Sequence, residues 1–99
     1  MARKITTDAI NAFMNGENFS RDNTSVSVNS FGDVVLMLHG NQIAQKRKIE
    51  NDLQISNAGW FSTTTKERLN GLPGVSVCQR KGVWFLNGEE WDGTWKVVV

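Results

Sequence analysis

Thr24-Ser25-Val26-Ser27-Val28-Asn29-Ser30-Phe31-Gly32-Asp33-Val34-Val35-Leu36-Met37-Leu38 is the stretch on which the fold turns. From Ser25 to Val28 serine alternates with valine, the period of two that marks a half-buried strand. Val34 to Leu38 is apolar without interruption, so that strand has no solvent face and belongs in the middle of a sheet. Between them, Asn29 to Asp33 is built of residues that reverse a chain, with Gly and Asn tolerating left-handed backbone. Two strands joined by so short a turn can only pair antiparallel.

Reading on from that hairpin, Gly40-Asn41 supplies a turn into a strand around Ile43, and Glu50-Asn51-Asp52 supplies another into Leu53-Gln54-Ile55. Reading back, a helix is expected from about Thr7 to Asn15. Thr6 can cap it, Asp8 suits the positive end of its dipole, and Ile5 with Ile10 fits a hydrophobic staple. Ala9, Ile10, Phe13 and Met14 form one apolar stripe at helical spacing, and Asn15-Gly16 ends it. A second short helix is signalled by Thr64 with Glu67 three residues on, the capping-box spacing, with Leu69 and Leu72 inward. Asn70-Gly71 and Pro73-Gly74 stop it. The tail is β again: Val75 to Val77, a turn at Arg80-Lys81-Gly82, Val83 to Leu86, a tight hairpin at Asn87-Gly88, and a repeat of that device at Asp92-Gly93. The expected fold is α+β, a mainly antiparallel sheet of about five to seven strands with two short helices in the order α-β-β-β(β)-α-β-β-β. The N-terminal helix packs its Ile10, Phe13 and Met14 face on the sheet.

Composition narrows the function classes. With 99 residues the chain has length for a single domain over 1–99, and 39% hydrophobic residues, including five Phe and four Trp, supply a core without staples. Cys78 and His39 are the only residues of their kinds, which rules out an internal disulfide and most metal geometries. No metal or cofactor is expected. A reducing compartment follows, and the polar start Arg3-Lys4-Ile5-Thr6-Thr7-Asp8 shows no secretory h-region. The longest apolar run, Val34 to Leu38, is far short of a membrane span, so no membrane association is expected. A net charge of +1 is not the bulk electrostatic footprint of a nucleic-acid coat, so any such role has to be local.

Catalysis has little to stand on. A Cys/His pair needs Cys78 and His39 to meet with a third group orienting the imidazole, and nothing in the local sequence announces it. Glu89, Glu90 and Asp92 cluster beside Trp91 and Trp95, but strand alternation sends Glu89 and Glu90 to opposite faces. That makes a solvated hairpin rather than a carboxylate pair, and without the remaining ligand spacing it makes no calcium loop. No catalytic or metal-ligating residue is assigned.

The richest segment for binding is 57–70. Thr63, Thr64 and Thr65 place hydroxyls at a helix start where backbone N–H groups favour anions. Lys66 and Arg68 add charge, and Trp60 either stacks on a base or fills the core. A second basic set, Lys46-Arg47-Lys48, lies on a strand, where lysines also serve as edge protection. Arg80-Lys81 is a third. These become one nucleic-acid face only if the fold gathers them.

The wording of three stretches resembles a group of short proteins encoded by tailed bacteriophages. They are Leu38-His39-Gly40-Asn41-x-Ile43-Ala44, Ile55-x-x-x-Gly59-Trp60, and Thr64-Thr65-Lys66-x-Arg68-Leu69-Asn70-Gly71-Leu72. The resemblance runs from the Asn11-Ala12-Phe13 helix to the Trp-rich tail. That group carries no assigned activity, so no functional residue transfers. The resemblance implies expression in a bacterial host cytoplasm and the usual work of small phage proteins. The order of elements in the first seventy residues also resembles that of a double-stranded-RNA-binding domain, in topology alone.

The reading that results is a small, non-enzymatic phage-type accessory binding protein. Nucleic acid is placed first as partner, through Trp60, Thr63, Thr64, Thr65, Lys66 and Arg68 with Lys46 and Lys48. The alternative is a protein-directed inhibitor of a host enzyme or defence complex, of anti-host or anti-CRISPR type, docking through Glu89, Glu90, Trp91 and Trp95; a virion component stands third. A continuous basic stripe on the folded surface favours the first, scattered charges with exposed tryptophan the second. Oligomeric state is left open.

Overall fold

In the computed structural model, which describes residues 4–59 and 62–98, the serine–valine alternation does what its period dictates. Strand β2 (Thr24–Val28) buries Thr24 and Val26, turns Ser27 outward and leaves its last residue Val28 exposed at the sheet end, and β3 (Val34–Leu38), beside it, is buried at four of five positions. Before them come α1 (Lys4–Asn15) and β1 (Phe19–Arg21); after them come β4 (Asn41–Arg47), β5 (Asp52–Ile55), α2 (Thr63–Asn70), β6 (Val77–Arg80), β7 (Val83–Leu86), β8 (Glu89–Glu90) and β9 (Lys96–Val97). The class is α+β as expected. The strands form two antiparallel sheets, one in the order β1-β2-β3-β4-β5-β9 and one in the order β6-β7-β8.

Register explains the core. Val26, Leu36, Ala44 and Ile55 are cross-strand partners in succession, one buried row over four strands. Ala9, Ile10 and Phe13 of α1, Leu69 of α2, Val77, Trp84 and Leu86 of the small sheet and Trp91 just after it join that cluster. Both helices therefore lie on one face of the large sheet. Its other face carries the row Ser27, Val35, Gln45, Gln54 and Val97, where the Gln45 amide donates to Gln54 at 2.9 Å. Between Leu36 and Met37 the register slips, so Ile43 is an extra residue on β4. A bulge of this kind rotates the strand, and here Ile43 and Ala44 are both buried although adjacent. On the opposite side of β4 the ladder with β5 continues, the carbonyl of Ile43 accepting from Ser56 N–H at 2.8 Å.

Several boundaries differ from expectation, each for a local reason. Helix α1 already includes Lys4 to Thr6, so Thr6 is a helical residue rather than a cap. Its far end closes as expected at Gly16, where Glu17 N–H donates to Ala12 O and Gly16 N–H to Phe13 O, the paired bonds of a left-handed cap. Ser62, not Thr64, caps α2 by accepting from Thr65 N–H at 3.2 Å, which frees Glu67 for other partners. The chain reverses at His39-Gly40 and at Lys81-Gly82, one residue earlier and one residue tighter than read, because both residues of each pair take positive φ. Strand β1, three residues long, is too short to show a period in the sequence, and with it five strands separate the helices, so the double-stranded-RNA-binding order does not hold. Asn87-Gly88 forms the expected tight turn, pairing Leu86 with Glu89. Asp92-Gly93 does not start another hairpin: the chain leaves the small sheet there and β9 pairs with β5 of the large one.

Candidate functional site

The α2 surface is less available to a ligand than its sequence suggests. Arg68 is 1% exposed. Its Nε donates to Thr24 Oγ1 at 3.0 Å and its Nη1 to Thr6 Oγ1 at 2.6 Å, and Nη1 is ion-paired with Glu67 Oε1. Thr6 in turn donates to Glu67 at 2.9 Å. With Nε and Nη1 engaged inside the fold and the side chain almost sealed from solvent, the guanidinium is not open to a phosphate, so the expected phosphate contact by Arg68 is corrected. Thr65 is also buried, its hydroxyl 2.9 Å from that of Ser62. Thr63 is exposed and Thr64 half-buried. Trp60 lies outside the described residues.

The other cations disperse. Lys46 reaches across to the last turn of α1, where its Nζ donates to the carbonyl of Met14 at 3.0 Å. A cation is favoured there by the helix dipole. Lys48 is exposed in the β4–β5 turn, with its backbone N–H on Asp33 Oδ1 at 2.9 Å. Arg47 is held by Asp52 through Nε at 2.7 Å and by Glu50 at 3.6 Å. That guanidinium holds the Asp52 carboxyl below its ordinary range. Lys66 donates to Gln79 Oε1 at 2.9 Å and lies 5.7 Å from the Trp84 ring centroid. It thereby stands next to the Arg80-Lys81 turn, so two of the three basic clusters draw near one another while Lys46 and Lys48 stay at the far end of β4.

The Trp-rich tail is organised differently. Trp91 is 6% exposed: its ring sits 6.3 Å from that of Trp84 and its Nε1 donates to Thr94 O at 2.9 Å. It is a core residue. Trp95, by contrast, is 43% exposed. Between them the chain makes an open hollow of about 510 Å³ lined by Glu90, Trp91, Asp92, Thr94, Trp95 and Lys96. The crossover that shapes it is anchored at Gly93, whose carbonyl accepts from Asn57 N–H at 2.9 Å and Ser56 Oγ at 3.0 Å. Asp92 Oδ1 accepts from Thr94 Oγ1 at 2.7 Å and from Thr94 N–H at 3.1 Å, and these bonds hold its carboxyl below the ordinary value. Among the described residues no ion pair engages Glu89, Glu90 or Asp92. The hollow thus combines an accessible indole with carboxylates free to meet cations.

Thr94 and Lys96 were not singled out in the sequence, nor was the Asn57 anchor. Asp92-Gly93-Thr94 has the spacing of an Asp side chain bonding two residues on, the one local signal that marks this turn. His39 stands in the β3–β4 turn with Asn23 at 3.4 Å, while exposed Cys78 is on β6 at the edge of the small sheet, and no hydrogen bond joins the two. Among the described residues no group of three or more metal-ligating side chains comes together, and no helix is long and apolar enough to cross a membrane.

Against known proteins, one family model, described as Kyanoviridae Gp96 protein, matches residues 2–97. Neither a curated protein nor a solved structure matches the chain.

Proposed function

Because the chain belongs to the Kyanoviridae Gp96 family of phage proteins, we propose that it is an accessory protein of infection that binds a protein target and is not an enzyme. Its place of work is the bacterial host cytoplasm and its target a host factor. The observation that carries this reading is Trp95, left 43% exposed on the rim of the Glu90–Lys96 hollow while its neighbour Trp91 is buried. Tryptophan is enriched among residues that dominate binding energy, and an exposed indole beside a shaped hollow supplies such an anchor. Glu89, Glu90 and Asp92, which form no ion pair among the described residues, favour a target with complementary positive charge and would steer its approach.

Nucleic acid is the second reading. What supports it is the approach of Lys66 to the Arg80-Lys81 turn beside exposed Thr63. What weighs against it is that Arg68, Lys46 and Arg47 are each committed to internal partners.

The test is affinity capture from infected host lysate with nuclease-treated and untreated arms, using wild type and Trp95→Ala. The protein reading expects a host protein retained after nuclease and lost with Trp95→Ala. Capture abolished by nuclease and indifferent to Trp95 would sink it and promote nucleic acid. In that event Lys66→Ala should flatten the salt dependence of binding by about one unit of log-log slope.

A further inference from the structure

Among the described residues six large hydrophobic side chains are exposed, and three of them, Val28, Phe31 and Ile49, stand at one end of the large sheet. The register places them together. Val28 pairs with Val34, Val34 with Lys46, and Arg47 with Asp52, so the β2–β3 and β4–β5 turns leave the sheet at the same level. Phe31 is 73% exposed on the first turn and Ile49 is 83% exposed on the second. Isolated surface hydrophobics need no explanation, but several at one place mark a contact.

The backbone beneath them is held. Asn29 Oδ1 accepts from Phe31 N–H at 2.9 Å and Asp33 N–H at 3.0 Å, and Asp33 Oδ1 accepts from Lys48 N–H at 2.9 Å, which ties one turn to the other. A pre-ordered surface loses little entropy when it docks. At the same end, between the last turn of α1, the start of β5 and the segment after α2, lies an open recess of about 410 Å³ bordered by Met14, Leu53, Pro73, Lys46 and Asp52. Protruding apolar groups and an apolar recess therefore occupy one patch.

We infer that this end of the sheet is a self-docking face, on which Phe31 and Ile49 of each of two copies seat against the other's Met14–Leu53–Pro73 recess about a two-fold axis. An isologous contact requires a patch that is its own complement, and knob plus recess on one surface meets that requirement. Charge agrees. The two hairpin ends carry Lys46, Arg47 and Lys48 against Asp33, Glu50 and Asp52, three of each sign. Arg47 already pairs with Asp52 and Glu50 within the copy, so the patch is close to neutral and two copies meeting there suffer no net repulsion. A protein surface built for nucleic acid or for an anionic membrane would carry an excess of positive charge rather than this balance.

Sedimentation of the wild type from micromolar to submillimolar concentration tests this, beside Ile49→Lys, Phe31→Ser and Pro73→Glu. The wild type is expected to rise from its 11.1 kDa monomer mass towards twice that value. Ile49→Lys and Phe31→Ser, at positions exposed in the monomer, should stay monomeric with unchanged melting temperature. Pro73→Glu, placing charge in the recess, should raise the dissociation constant at least about 10-fold. The two tip variants are independent, so one that lowers folding stability leaves the other to decide. A wild type that remains monomeric throughout overturns the proposal and leaves the tips to a different molecule. Association that persists equally in all three variants also overturns it, by placing the contact elsewhere.

Discussion

Arg68 and Thr6, 62 residues apart in the chain, are joined by a 2.6 Å hydrogen bond inside the protein. The same guanidinium bonds Thr24 and pairs with Glu67, so one charge ties α1, β2 and α2 together away from water. Breaking such a buried set by removing one partner leaves the others unsatisfied. Arg68→Ala should cost about 3–5 kcal/mol of folding stability, measured by urea denaturation. A Thr6→Val, Arg68→Ala double-mutant cycle should show coupling between the two. Additive losses would mean that the bond contributes nothing of its own.

Gly93 is the backbone hinge of the crossover from the small sheet to the large one. Its φ is +90°, and a Cβ there would come within 2.2 Å of Asn57 Nδ2. Gly93→Ala combines unfavourable backbone with a clash against a buried amide, and should destabilise by about 2–4 kcal/mol. Gly88→Ala, also at positive φ but with nothing within 4 Å, should cost less. Equal costs would show that strain alone, and not the Asn57 contact, matters at Gly93.

The two tail tryptophans should separate in their effects. Trp91→Ala removes a ring packed on Trp84 and should lose about 3–5 kcal/mol of stability. Trp95→Ala, at an exposed position, should change stability by less than about 0.5 kcal/mol. Thermal and chemical unfolding of both variants measures this directly. A large loss for Trp95→Ala would recast it as a structural residue and remove the main support for the protein-binding reading.

Acid should weaken the fold through named pairs. Asp8, held mainly by Arg21 and then Lys4, and Asp52, held by Arg47, both have carboxyl pKa values below the ordinary 3.8. A depressed folded-state pKa gives stability that is complete above the unfolded value and is lost as pH falls through the folded one. The melting temperature should therefore be insensitive to these pairs near neutrality and should decline below about pH 4. Asp52→Asn should make that acid-side decline shallower. An unaltered acid limb would show that the Arg47 pair is not linked to folding.

The carboxyl of Asp92 is likewise depressed, by its bonds from Thr94. It stays anionic well below neutrality, so a cationic target should remain bound on mild acidification. Thr94→Val removes the hydroxyl donor and should move the onset of acid release to higher pH, read by capture of the target across a pH series.

What the sequence settled by itself is what short-range periodicity and turn chemistry can settle. Ser25 to Val28 and Val34 to Leu38 declare a half-buried strand and a buried one, and Asn87-Gly88 declares its turn, because those choices depend on the nearest few residues. Gly16 ends α1 for the same reason. The destination of β9 was not legible, since Asp92-Gly93 makes a sharp bend in either topology, and it is Gly93's bonds to Ser56 and Asn57 with Val98's bond to Leu53 that place the next strand on β5. Nor was the fate of individual charges. Arg68 and Lys66 look alike in the chain, two residues apart on one short helix. Rotation about the helix axis aims the first at Thr6 and Thr24 in the interior and the second at the surface beside Gln79. Likewise Trp91 and Trp95 differ only in which side of the crossover faces the core. Burial is a property of the assembled elements, because it is decided by residues sixty positions away that periodicity cannot see.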